Sequence, residues 1–343
     1  AAAGSTAAAR SATRVDGPQQ RENILDTGLA RIRKHAIGAL DRLGLAWTLT
    51  LTIVSIDAAW LLLDGWSVPW RNAAATSLTA CAFFIPLAIP RYRNDARIRT
   101  TVLGAALLIA FQAAGATLSY LVVSTNVPLV DASLAAWDRA LGFDWLACLA
   151  WTENHASARF ILRCAYYSGL WQLVAVVLYL GFTARSTRLR EFMRLFVLAT
   201  VLTIAVSGLL PAAGAWKHYA VGASFDLAST SHFELLRSGS MHDIPLGAMQ
   251  GLISLPSLHS AMAVLLVYAM RGTLVHALFA VLNAAMLAST PIEGGHYLVD
   301  VLAGVALALG LIALDRLGQR QASKAPRDPA RRGAVAGMQA VRQ

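Results

Sequence analysis

Charge is scarce in this chain. Only 14% of its 343 residues are Asp, Glu, Lys or Arg, against a hydrophobic share of 57% and a mean hydropathy of +0.54. A soluble domain carries about 25% charged residues, so there is too little polar surface to clothe a water-exposed globule. Disorder is excluded by the same numbers, because disordered chains are poor in apolar residues. Cysteine is scarcer still. Cys81, Cys148 and Cys164 are an odd number without C-x-x-C spacing, which excludes a disulfide framework and a thiolate zinc site. H-E-x-x-H is missing too, and no metal site or cofactor is expected. The formal charge of +10 raises nucleic acid as a partner, but the basic residues do not gather on one face, so none is expected. A polytopic membrane protein remains.

Eight apolar stretches are present, at 43–63, 72–89, 101–123, 160–182, 192–210, 252–270, 273–289 and 296–314. Most reach the ~17–25 residues that cross a hydrocarbon core as helix, which predicts an all-α fold of about eight transmembrane helices. The sixth and seventh, joined only by Arg271-Gly272, predict a tight helical hairpin. Of the 29 Lys and Arg, 23 fall in the first 42 residues, 91–99, 185–194, Arg271 and 316–343, alternate connections that share one side. The positive-inside rule then puts both termini in the cytoplasm of a multi-pass cell (inner) membrane protein, with the other loops outside, periplasmic or extracellular. No apolar stretch near the start suggests a cleaved signal peptide. Residues 1–30 and 320–343 read as disordered tails.

Two strings lie at the outer ends of the last three stretches. Leu255-Pro256-Ser257-Leu258-His259-Ser260 opens the sixth, and Gly294-Gly295-His296-Tyr297-Leu298-Val299-Asp300 opens the eighth. On a helix His296 and Asp300 share one face, so the carboxylate can hold the far N–H of the imidazole and raise its basicity. Gly295 allows close backbone approach to a ligand, ahead of a helix N-terminus that attracts anions. Ser257 either caps the sixth helix or donates to an oxyanion. A lone His-x-x-x-Asp is weak, but two histidines at the mouths of neighbouring short helices are not. The arrangement suits phosphoryl transfer through a phosphohistidine, with His296 as nucleophile, Asp300 as its partner and His259 as acid and base.

These strings resemble the last two signature motifs of the type 2 phosphatidic acid phosphatase superfamily, and look closest to its inositol phosphorylceramide synthase-like branch. Asp138-Arg139-Ala140-Leu141-Gly142-Phe143-Asp144-Trp145 resembles that branch more loosely. The resemblance implies a metal-independent membrane enzyme with a six-helix-type core and the three roles just given. Thr290 stands where the phosphatases carry an Arg six residues before the nucleophile, and Arg-Pro, which ends their first motif, occurs nowhere. The synthase-like branch lacks both as well. Lys217 or Arg237, in the long outer loop, is expected to supply the missing charge. His35, His155 and His276 have no partner pattern.

The chain then divides into a disordered tail at 1–30, accessory transmembrane helices at 31–123, a catalytic membrane domain at 124–315 and a basic cytoplasmic tail at 316–343. The catalytic domain holds an interfacial segment, 124–157, expected to act as a water-excluding lid, and an outer loop, 211–251. Asp57 and Arg163, each inside a stretch, predict a buried ion pair, with substrate contact as the alternative. Gln172 reads either as a polar contact between helices or as part of the substrate cavity. The function expected is transfer of a phospho-headgroup, phosphoinositol being one candidate, from a membrane phospholipid donor to a lipid or glycan acceptor. A lipid phosphatase acting on phosphatidate-like or polyprenyl diphosphate substrates, and a non-enzymatic lipid-binding or transport protein, are the alternatives.

Overall fold

A computed structural model describes residues 44–82, 84–221 and 231–324. The tails at 1–30 and 325–343 and His35 lie outside the described residues. Every apolar stretch becomes helical. Apart from four-residue helices at Ile85–Ala88, Pro90–Arg93 and Ala215–His218, the described helices are α1 (Gly44–Leu63), α2 (Trp70–Ala82), α3 (Ala96–Ser124), α4 (Asp131–Ala140), α5 (Trp145–Asn154), α6 (Ala156–Tyr167), α7 (Gly169–Phe182), α8 (Ser186–Leu209), α9 (His232–Arg237), α10 (Leu258–Ala269), α11 (His276–Glu293) and α12 (Leu298–Lys324). No strand occurs among the described residues, and the chain is an all-α polytopic membrane protein. Its outward faces are apolar, with Trp171 74% and Leu62 82% exposed, as a surface solvated by lipid requires.

The helices are less uniform than eight equal spans. By length and composition α1, α3, α8 and α12 can each cross a membrane, and α6 with α7 makes a fifth span bent by 45°. The bend falls at Ser168-Gly169, a pair that often kinks helices; the Ser168 hydroxyl donates to the Ala165 carbonyl and accepts from Gln172 Nε2. The stretch 252–270 yields only the 12 residues of α10. Pro256 bars the residue before it from the α region, so the helix starts two residues later, capped by Ser257. At 1.5 Å per residue α10 is about 18 Å long, short of a ~30 Å hydrocarbon core. The last helix runs on to Lys324, so the segment from 316 starts as helix rather than as tail.

α10 sits at the centre, packed on α7, α8, α11 and α12, while α3 packs on α7 and α8. Gly304 of α12 lies so close to α10 that a Cβ there would collide with the Ser257 carbonyl oxygen. The long connection after α8 carries α9 and covers the end of α3 through a cluster of Tyr120, Val123, Phe233, Leu236, Met241 and Ile244. Tyr120 also hydrogen-bonds His232 (2.7 Å) and accepts from the Gln250 N–H (2.8 Å).

Candidate active site

His296 is 4% exposed and sits in the loop between α11 and α12. It precedes the helix rather than sharing a helical face with Asp300, as the spacing suggests. The two nevertheless meet, because Tyr297 is the residue before α12 and Asp300, in the first turn, turns its carboxylate back to accept the Tyr297 N–H (3.1 Å). The same oxygen, Oδ2, accepts from Ser254 Oγ (2.6 Å) and lies 3.5 Å from His296 Nδ1. His296 Nδ1 and Asp300 Oδ1 are both buried without a hydrogen-bond partner. Nε2, the other ring nitrogen, is 3.5 Å from Ser257 Oγ.

Asp138 of α4, fully buried, accepts the N–H groups of Leu298 (2.8 Å) and Val299 (3.0 Å). Burial pushes its carboxyl above the usual range, these two N–H groups pull it back, and the nearby Asp300 charge adds to the rise. Asp131, two helical turns earlier, accepts from the Ala213 and Gly214 N–H groups and from the Tyr297 hydroxyl, each at 2.9 Å. Two carboxylates of α4 thus hold the start of α12, the Tyr297 side chain and the 213–214 segment, whose neighbour Ala215 donates its N–H to the Gly295 carbonyl (2.7 Å). They also overturn one expectation. The N-terminal amides of α12 are already taken by Asp138, so that helix end does not receive a substrate anion. In the first turn of α10, Ser257 caps the Ser260 N–H (3.4 Å).

His259, in that first turn, stacks on Tyr166 of α6 with ring centroids 4.3 Å apart, and its Nδ1 lies 3.4 Å from the tyrosine hydroxyl. His259, His296, Tyr166 and Gly294 line one cavity of about 290 Å3. Its far wall is α3 and α8, through Gln112, Gly115, Ser119, Thr200 and Ile204. Gly295 adopts φ +64°, and a Cβ there would strike the Trp216 ring, so only glycine suits the turn that delivers His296.

The family model described as PAP2 superfamily matches residues 132–314, just over half of the chain. The chain belongs to the PAP2 superfamily. Members are phosphatases or phosphotransferases, so this is an enzyme of that class. No curated protein and no solved structure matches it.

The match to PAP2 starts after α3, yet α3 walls the cavity, so α3 is more than an accessory helix. Nor is 124–157 a free lid, since Asp131, Asp138 and the buried Trp145, whose indole N–H donates to the Pro291 carbonyl (3.0 Å), fix it to the loop. Arg163 does not pair with Asp57. With Arg159 it flanks Glu293, each guanidinium Nε 3.7 Å from the carboxylate, directly before Gly294. Asp57 is buried on the inner stripe of α1 with Ala46, Thr50 and Ile53, and its Oδ1 has no partner. Lys217 binds Glu234 (3.0 Å) over the Phe233 ring, Arg237 lies over the same ring, and neither lines the cavity. Gln172 accepts from Asn283 Nδ2 (2.6 Å) as a contact between α7 and α11, also away from the cavity. Ser254 and Glu293 escape a sequence reading. The sign of Glu293 is an acid placed directly before Gly294-Gly295, at the end of an apolar helix.

Proposed function

We propose that this PAP2 enzyme is a lipid phosphotransferase of the inositol phosphorylceramide synthase-like kind, working through a covalent intermediate on His296. The observation that carries the reading is the placement of His296, with Asp300 at Nδ1 and Nε2 left for chemistry, in one cavity with His259. Asp300 holds the proton on Nδ1. Nε2 attacks the phosphorus of a phospholipid donor, an N–P bond forms, and the P–O bond to diacylglycerol breaks. His259, protonated, gives its proton to that leaving oxygen. It then takes the proton of an acceptor hydroxyl, whose oxygen displaces His296 from phosphorus and restores the free imidazole. The leading amides of α10 hold the non-bridging oxygens. Water is the competing acceptor, and Ala116, Ile204, Leu252 and Ile253 give the cavity the apolar contacts a lipid acceptor needs beside the polar Gln112, Ser119 and Thr200.

The test incubates the purified protein in nanodiscs with radiolabelled phosphatidylinositol and total host lipid. A new labelled lipid, lost with His296→Ala, is the expected outcome. Release of water-soluble phosphate or inositol phosphate alone would replace transfer with hydrolysis. A labelled product unaffected by His296→Ala would remove the phosphohistidine reading altogether.

Two readings compete for the cation that neutralises the donor phosphate. Lys217 and Arg237 are held elsewhere, whereas Arg159 and Arg163 both stand against Glu293 at the start of the histidine loop. Arg159→Gln with Arg163→Gln is therefore expected to raise KM for the donor roughly 10- to 100-fold, the range for charged hydrogen bonds of ~1.5–3 kcal/mol. Lys217→Gln with Arg237→Gln should stay within a few-fold of wild type. The opposite ranking in steady-state kinetics would return the role to the outer loop.

A further inference from the structure

A second cavity, of about 500 Å3, lies at the other end of α10 from His259, in the cleft that α10, α11 and α12 leave between them. Its walls are apolar, including Val267, Ala284, Leu287 and Ile312, and its mouth carries Arg271, His276 and Arg316. From His276 to Leu287 it follows α11 for eleven residues, about 16 Å at 1.5 Å per residue. That is close to half of a ~30 Å hydrocarbon core, the depth of one leaflet.

The mouth is strongly basic. Arg271 binds Glu191 (2.6 Å), which also accepts the Tyr268 hydroxyl (2.7 Å), and Arg316 Nε donates to that hydroxyl (3.2 Å). Arg188 donates to the Arg271 carbonyl, Arg185 to the Gly272 carbonyl (3.2 Å), and Arg194 pairs with Asp315. Five arginines thus stand against two carboxylates around the opening. His276 adds a buried Nδ1 with no hydrogen-bond partner, at the start of a helix that no side chain caps. A slot one leaflet deep, apolar along its length except for Asn283 and cationic only at its mouth, matches a molecule with an acyl chain and an anionic head.

We infer that this cleft is a binding site for one anionic phospholipid, separate from the histidine cavity, with an acyl chain between α11 and α12 and the phosphate at Arg271, His276 and Arg316. It belongs to the leaflet opposite the reaction and does not depend on the activity proposed above.

The full-length protein is mixed with equal amounts of dioleoyl phosphatidylglycerol and dioleoyl phosphatidylcholine, and retained lipid is read by native mass spectrometry. Wild type should keep one phosphatidylglycerol per chain in preference to phosphatidylcholine. Ala284→Trp, which fills the slot from an exposed small residue, should abolish that retention; Ala280→Phe serves if the first variant does not fold. Arg316→Gln should still hold a lipid but lose about five-fold of the preference, the value of one basic residue near an anionic surface. Equal retention of the two lipids by wild type, no retention, or undiminished phosphatidylglycerol in the filled variants would overturn the site. The last result would place the bound lipid elsewhere on the protein.

Discussion

Replacing His296 by Ala is expected to lower turnover at least ~10⁴-fold, the scale seen when the nucleophile of a covalent mechanism is removed. The basis is positional. His296 is 4% exposed, fixed by the Gly295 turn, and flanked by Asp300 on Nδ1 and Ser257 on Nε2. No other imidazole among the described residues combines a buried carboxylate partner with a place on the cavity wall. Asp300→Asn should cost roughly 10³-fold or more by allowing the wrong tautomer, while the amide oxygen still accepts the Tyr297 N–H and leaves the turn folded. His259→Ala should slow both halves of the reaction without removing the nucleophile. Protein labelled with [³²P]phosphatidylinositol and quenched quickly should then carry acid-labile label on His296 in wild type and none in His296→Ala. Turnover of His296→Ala within ten-fold of wild type, with thermal stability unchanged, would end the covalent mechanism.

His259, His296 and Asp300 are legible in the sequence because their information is local. A proline, a serine cap and a histidine announce a helix start, and two glycines announce a turn whose next residues are His296 and Tyr297. The apolar stretches likewise locate every long helix. Contacts between distant segments are not legible in this way. Nothing in residues 131–138 says that its two carboxylates reach amides 82–83 and 160–161 positions away. Arg163 gives no sign of choosing Glu293 over Asp57, since both are acids in apolar surroundings and only the packing of α6 on α11 decides. The part played by α3 is hidden for another reason. A helix of nearly uniform hydropathy presents no distinct face, and its Gln112 and Ser119 show their use only beside α8 and α10. Length misleads too, because an apolar stretch fixes where a helix can run but not where Pro256 delays its start.

Asp138 makes the hidden part testable. Its two oxygens accept the Leu298 and Val299 N–H groups, which have no partner within their own helix, at a site from which solvent is excluded. Asp138→Ala leaves both donors unsatisfied, at ~1–3 kcal/mol each, so a loss of about 3 kcal/mol in unfolding free energy is expected. Asp138→Asn keeps one acceptor oxygen and should cost about half as much. Tyr297→Phe removes a single hydrogen bond to Asp131 and is expected to cost ~1 kcal/mol. Reversible denaturation in mixed micelles measures all three. Activity should follow the same order, because α12 starts at the loop that carries His296, and a shift there disturbs the Nδ1–Asp300 contact before the rest of the bundle yields. If Asp138→Ala and Asp138→Asn were as stable as wild type but inactive, Asp138 would be acting on the substrate rather than bracing the helix. If both kept stability and activity alike, the anchoring of α12 by α4 would have no energetic weight, and the histidine loop would have to be held by Asp131 alone.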